Sequence, residues 1–310
     1  MKHKILKQAS LPAQLDEELN ALYDVYEYAA LTPSGFSQLA EEFRVVITNG
    51  EAVVTREFIN TLPNLALIAV FGVGYDGVDV AAAKARGIAV THTPGVLTDD
   101  VADLALGLLL ATSRQIVDAQ TFIQQGGWKR QSYMWTRKVS GSTLGIIGLG
   151  RIGRAVAQRA LGFNLTIAYT DRQAAHDVDF AFYPTVEALA AASDYLVVCT
   201  PGGSDTQCLV NGDVLRALGA DGMLINISRG SVVDEQALIE ALEQGTIAGA
   251  GLDVFAHEPN VPAGLLGKPN VVVTPHMASA TWSTRGEMSR LVMENVNAWF
   301  AGQALVTPIP

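Results

Sequence analysis

Cysteine is almost absent from this 310-residue chain: only Cys199 and Cys208 occur, in neither a Cys-x-x-Cys pair nor a metal-ligand spacing. A disulfide framework and a bound metal are therefore not expected, and a reducing compartment fits. The opening residues, Met1-Lys-His-Lys-Ile5, lack the long apolar core of a signal peptide, and the most apolar stretch, Leu104–Ala111, is too short to span a bilayer. These absences point to a cytoplasmic protein without a membrane partner. Basic residues are in deficit, with 21 Lys and Arg against 31 Asp and Glu and a net charge of −10. With no basic patch to neutralise phosphates, nucleic acid is not expected as a partner. An anionic small substrate would have to be captured by a local arginine. Internal repeats and low-complexity tracts are missing as well.

What is there reads as folded α/β protein: 49% hydrophobic residues, with 29 glycines spread among apolar runs. The length favours two domains over one. In the first hundred or so residues, Val45–Ile47, Leu67–Val70 and Ile88–Val90 alternate with helical patterns such as Ala81–Arg86, which Gly87 stops. That rhythm is βαβα and implies a parallel sheet. Past the turn Thr93-Pro-Gly95, Asp99–Thr112 reads as a helix with acidic residues at its N-terminal end and apolar residues nearly all round. Such a helix is buried, inside a domain or against a second subunit. A second βα series starts at Ser142, with strands near Leu144–Ile147, Leu165–Tyr169, Tyr195–Cys199, Met223–Ile227, Ile247–Leu252 and Val271–Thr274. The last helix, Thr284–Phe300, has no partner sheet in its own stretch, so the C-terminus is expected to return to the first domain. Residues 1–98 with 283–310 then form one domain and 99–282 the other.

Leu144–Gly153 is a strand running into Gly148-x-Gly150-x-x-Gly153 and then a helix. In that setting Gly148 makes the tight turn, Gly150 lets the backbone approach a pyrophosphate and Gly153 lets the helix pack closely. The helix start at Arg151 and Ile152 supplies amide donors to the phosphates. Asp171, after the next strand, stands where a carboxylate would accept hydrogen bonds from the adenosine ribose. A carboxylate there repels the 2′-phosphate of NADPH, whereas the neighbouring Arg172 would bind it.

Three later strand ends deliver Arg229 (in Ile225-Asn-Ile-Ser-Arg-Gly230), Glu258 (in Gly251–Pro259) and His276 (in Val273-Thr-Pro-His276). Ligands of open α/β sheets bind at such carboxyl ends. Reducing a 2-keto acid needs a forked cation for the carboxylate, a proton donor for the forming alkoxide and a hydride source. Arg229 and His276 suit the first two roles, and Glu258 would orient the imidazole and raise its pKa. Asp253 either caps the nicotinamide end of the cofactor, the role expected here, or stabilises a turn. His92, in the linker, and His257, beside Glu258, are assigned no role.

At these residues the chain resembles the D-isomer-specific 2-hydroxyacid dehydrogenase family across essentially its whole length. The segments Asn226–Gly230 and Thr274-Pro-His276 carry the likeness. Thr91–Asp103 and Gly249–Phe255 are most similar to glyoxylate, hydroxypyruvate and hydroxyphenylpyruvate reductases. The resemblance implies a Rossmann nucleotide-binding domain in the middle of the chain and a flavodoxin-like substrate-binding lid domain from both ends. It implies a homodimer formed through the nucleotide domains. It adds the Val73 and Gly74 amides to the substrate site, Thr200 and Pro201 to the cofactor site, and Trp135 as interface packing or as a residue reaching the neighbouring subunit's substrate pocket. Relatives with Tyr-x-x-Arg at the Arg172 strand end favour NADPH, so NADPH is the preferred cofactor expected, with NADH also accepted. The competing readings are a dinucleotide-sensing corepressor on the same scaffold and D-3-phosphoglycerate dehydrogenase.

Overall fold

The computed structural model describes residues 2–309, and the chain divides into two compact units, one running to Leu97 and resuming at Ser279, the other spanning Thr98–Ala278. The first holds β1 (Lys4–Lys7), β2 (Asp24–Glu27), β3 (Val45–Asn49), β4 (Leu67–Phe71) and β5 (Ala89–Thr91), in the order β2-β1-β3-β4-β5 and parallel throughout. β3 and β4 are buried almost end to end, and Val46, Ile68 and Val70 share a core with Ile59, Leu62, Val78 and Ala83. The sequence reading finds β3, β4 and β5 but not β1 or β2. In β1 the apolar run is only Ile5-Leu6 between lysines, and β2 is an edge strand with exposed acidic ends. Gly87 takes φ +67° as the chain leaves helix Val80–Ala85, so the Ile88 N–H bonds back to the Ala83 carbonyl at 2.9 Å.

Helix Trp282–Phe300 belongs to this first unit. Thr281 caps it by accepting the Thr284 N–H at 3.2 Å, and Met288, Leu291, Val292 and Val296 are buried along it. The following tail is fastened by the fully buried Asn295, whose Oδ1 accepts from the Val306 and Thr307 N–H groups. Ile309 then donates to the Val90 carbonyl at 2.8 Å.

The second unit is a seven-stranded parallel sheet of β6 (Thr143–Ile147), β7 (Thr166–Thr170), β8 (Ala181–Phe182), β9 (Tyr195–Val198), β10 (Met223–Asn226), β11 (Gly249–Leu252) and β12 (Val271–Val273). Its order is β12-β11-β10-β9-β6-β7-β8, so the winding reverses between β6 and β9, where such sheets bind ligands beyond their carboxyl ends. The apolar helix Thr98–Ser113 is packed within this unit, against helix Arg151–Leu161 and strands β10 and β11. Glycine makes room for it: a Cβ on Gly251 would stand 3.1 Å from the Leu108 Cβ and 3.0 Å from the Thr112 hydroxyl. β8, two exposed residues long, leaves no apolar signal in the sequence. Among the described residues no helix is long and apolar enough to cross a membrane, and both cysteines are free thiols.

Candidate active site

β6 runs through Gly148, at φ +91°, into helix Arg151–Leu161. A side chain at Gly148 is excluded twice, by that backbone angle and because its Cβ would lie 2.9 Å from the Thr200 nitrogen. A Cβ on Gly153 would fall 2.1 Å from the Gly148 carbonyl oxygen, so the helix can only sit this close to the turn with glycine there. Above Gly150, by contrast, an added Cβ would meet nothing within 4 Å, and no side chain caps the helix start at Arg151 and Ile152. Open backbone with uncapped amides fits the pyrophosphate of a dinucleotide. Thr200 and Pro201 follow β9 on the other side of the reversal, with the Thr200 carbonyl accepting from the Ser228 hydroxyl.

Asp171 and Arg172 follow β7. The Asp171 carboxylate is folded back onto the glycine turn: Oδ2 accepts the Leu149 N–H at 2.9 Å and Oδ1 the Arg172 N–H at 2.7 Å.

Beyond β10, Arg229 is set by its neighbours. Asn226 Nδ2 donates to the Arg229 carbonyl at 2.9 Å, and Arg229 Nη1 donates to the Ser228 carbonyl at 2.8 Å. Gly230 lets this segment touch the Phe255–Ala256 backbone, where any Cβ would come within 1.9 Å of the Phe255 carbonyl carbon. That contact brings the strand end carrying Arg229 beside the loop carrying Glu258. Glu258 Oε1 accepts the Phe255 N–H at 2.8 Å, and Oε2 accepts from His276 Nδ1 at 2.7 Å. Both side chains are largely shielded, 23% and 26% exposed. Burial pushes the Glu258 pKa up, but the hydrogen bonds from His276 and Phe255 and the charges of His276 and Arg229 outweigh it and hold the carboxyl below its ordinary value. An ionised carboxylate only accepts, so Nδ1 is the donor, and Nε2 is the nitrogen through which a proton can be handed on.

His276 itself has φ +49°, a left-handed conformation uncommon for a side-chain-bearing residue. Asp253 holds it there. The Asp253 carbonyl accepts the His276 N–H at 2.8 Å, Oδ1 accepts from the Thr274 hydroxyl at 2.6 Å and the Met277 N–H at 2.9 Å, and Oδ2 accepts the Ala278 N–H at 2.9 Å. With no exposed surface and both carboxylate oxygens bonded into this turn, Asp253 orders the His276 loop, the turn-stabilising role that the sequence left open beside a contact to the nicotinamide.

In the first unit, Val73 and Gly74 follow β4, and their N–H groups have no acceptor among the described residues. The Val73 carbonyl accepts from His92 Nδ1 at 3.0 Å, and the His92 ring meets Tyr75 edge-on, so the histidine dismissed as a linker residue steadies this loop. Nothing in the spacing of His92 and Val73 signals that bond. Trp135, in the second unit, is 98% exposed.

Comparison with known proteins bears on this arrangement directly. Residues 106–278 match the family model described as D-isomer specific 2-hydroxyacid dehydrogenase, NAD binding domain. A glyoxylate/hydroxypyruvate reductase A of Arabidopsis thaliana is 44% identical over 309 residues, covering 98% of both chains, and a hydroxyphenylpyruvate reductase of Plectranthus scutellarioides is 43% identical over 307, again covering 98% of each. The crystal structure of an NADPH-dependent glyoxylate/hydroxypyruvate reductase from Sinorhizobium meliloti, in complex with NADP and malonate, superposes with a TM-score of 0.92 at 43% identity, covering 100% of this chain and 97% of that one. The chain belongs to the D-isomer-specific 2-hydroxyacid dehydrogenase family. It is a nicotinamide-dependent oxidoreductase that reduces a 2-keto acid to the 2-hydroxy acid.

A guanidinium and an imidazole paired with a carboxylate lie after β10, β11 and β12, and the glycine turn after β6 fits the dinucleotide. The bound dinucleotide supplies the hydride.

Proposed function

We propose that the dehydrogenase reduces glyoxylate to its achiral 2-hydroxy acid, or hydroxypyruvate to the D-2-hydroxy acid, preferring NADPH and also accepting NADH. The observation that carries this reading is the 2.7 Å hydrogen bond between His276 Nδ1 and Glu258 Oε2, on loops that follow β12 and β11. Arg229 pairs with the substrate carboxylate through its planar fork. The protonated His276 passes its Nε2 proton to the keto oxygen as hydride adds to the carbon, and Glu258 keeps the ring oriented and favours its protonated form. Hydride and proton together convert the keto group to the hydroxyl, and His276 regains its proton from water. Val73 and Gly74 are assigned to substrate binding on the strength of their unengaged N–H groups.

In the same reading the second unit binds the nucleotide, the first binds substrate, and the active species is a cytoplasmic homodimer. Support for the dimer comes from helix Ile116–Gln124, which buries none of its residues although it carries Ile116, Val117 and Ile123. The arm after it bears the exposed Trp128 and Trp135, and Tyr133 ties that arm back to the helix through a 2.7 Å bond to Asp118 Oδ2. A second copy would cover these apolar side chains. Turnover of a panel of 2-keto acids with both coenzymes tests the assignment: glyoxylate and hydroxypyruvate should lead, and a clear preference for a bulkier keto acid would refute it. Sedimentation of the wild-type protein should give a dimer.

A further inference from the structure

We propose that His92 is a positioning residue for substrate recognition: its ring aims the Gly74 N–H at the carboxylate of the keto acid. This rests on the reading that the Val73 and Gly74 amides bind substrate. A peptide unit is planar and trans, so its C=O and N–H point in opposite directions. Whatever holds the carbonyl therefore aims the amide of the next residue. The Gly72 carbonyl accepts the Thr93 N–H at 2.8 Å, which sets the direction of the Val73 N–H. The Val73 carbonyl accepts from His92 Nδ1 at 3.0 Å, which sets the direction of the Gly74 N–H. Two successive amides fixed in this way, neither with an acceptor among the described residues, form a ready cradle for an anion.

One of these two clamps is backbone, but the other is a side chain, and that side chain is firmly mounted. The His92 N–H donates to the Thr307 carbonyl at 3.3 Å, and the His92 carbonyl accepts from the Thr307 hydroxyl at 2.6 Å. Thr307 is in turn bonded to the fully buried Asn295, which accepts its N–H and donates to its hydroxyl oxygen. The Tyr75 ring meets the imidazole edge-on at 82°, centroids 5.4 Å apart, and limits its rotation. A carbonyl only accepts, so Nδ1 carries the hydrogen, and the neutral ring is held as the Nδ1–H tautomer. A carboxylate contact is made equally before and during hydride transfer, so loosening it raises KM and leaves kcat alone.

The test is steady-state kinetics, with the keto acid turned over best, for the wild type, His92→Phe, His92→Asn and Gly74→Pro, with the coenzyme Kd and the Tm of each. Phenylalanine keeps a ring against Tyr75 but has no donor, so KM should rise by about tenfold while kcat and the coenzyme Kd stay within about twofold. Asparagine carries an N–H near the place of Nδ1 and should return KM to within about threefold of the wild type. In the wild type itself, the ring-nitrogen NMR spectrum at alkaline pH should show His92, assigned by its absence from His92→Asn, as the Nδ1–H tautomer. The inference is overturned if His92→Phe leaves KM unmoved, whatever its Tm, if asparagine is as impaired as phenylalanine, or if the neutral ring is the Nε2–H tautomer. Gly74→Pro deletes the amide outright: an unchanged KM there would instead remove the substrate-site reading beneath the inference.

Discussion

His276 Nδ1 donates to Glu258 Oε2 at 2.7 Å, while the same carboxylate accepts the Phe255 N–H through its other oxygen. The charged imidazole is among the causes that lower the Glu258 pKa. Coupling is reciprocal, so the carboxylate favours the protonated imidazole by the same interaction. Glu258→Gln should therefore move the alkaline limb of the keto-acid reduction profile to lower pH, because the proton-donating form is lost sooner. A limb that stays in place would assign the proton to another group. The sign for folding runs the other way. The depressed Glu258 pKa stabilises the fold above the ordinary carboxylate range, and that contribution is lost as pH falls through the lowered value. The stability gap between wild type and Glu258→Gln should accordingly be widest near neutrality and narrow in acid, as urea titrations across pH would show.

Replacing Arg229 tests recognition of the substrate carboxylate. Arg229→Ala should lower kcat/KM for the keto acid by about a thousandfold, and Arg229→Lys should recover only part of it, since an ammonium cannot make the two parallel bonds of a guanidinium. Coenzyme Kd, measured by fluorescence titration, should be unaltered in both. Full rescue by lysine would reduce the role of Arg229 to a point charge.

Asp253 separates positioning from direct contact. Asp253→Ala leaves the Thr274 hydroxyl and the Met277 and Ala278 N–H groups without their acceptor, so stability should fall by about 2–4 kcal/mol and kcat should drop with the His276 turn. The KM for the coenzyme should change little. A raised coenzyme KM with unchanged stability would assign Asp253 to the nicotinamide contact that the sequence suggested.

Gly153→Ala probes the dinucleotide turn. Its Cβ would stand 2.1 Å from the Gly148 carbonyl, so helix and turn must separate. Coenzyme binding should weaken by at least about tenfold while circular dichroism shows the fold retained. Wild-type affinity in this variant would mean that the turn does not hold the coenzyme.

How much of this was legible in the sequence depends on how local the signal is. The second series of strands is written in short, nearly continuous apolar or β-branched runs, and the glycine turn, Arg229 and His276 sit just beyond such runs, with Glu258 in the loop that follows β11. β1, β2 and β8 are too short or too polar to leave a pattern. The hydrogen bonds of Asp253, Asp171 and His92 were not legible for one reason: each runs to a distant segment. Asp253 meets a turn 21 to 25 residues away, Asp171 meets Leu149 across 22, and His92 meets Val73 across 19. Periodicity cannot report such partners, because they are set by which strand ends the sheet order brings together.

The most direct measurement of the central claim is sustained oxidation of NADPH by the purified protein with hydroxypyruvate, with chiral analysis of the product, for the wild type and for His276→Ala. The account requires multiple turnovers yielding the D-hydroxy acid, and a loss of about 100-fold or more in kcat when the imidazole is removed. Binding of NADPH without turnover, an L product, or a His276→Ala enzyme as active as the wild type would contradict it.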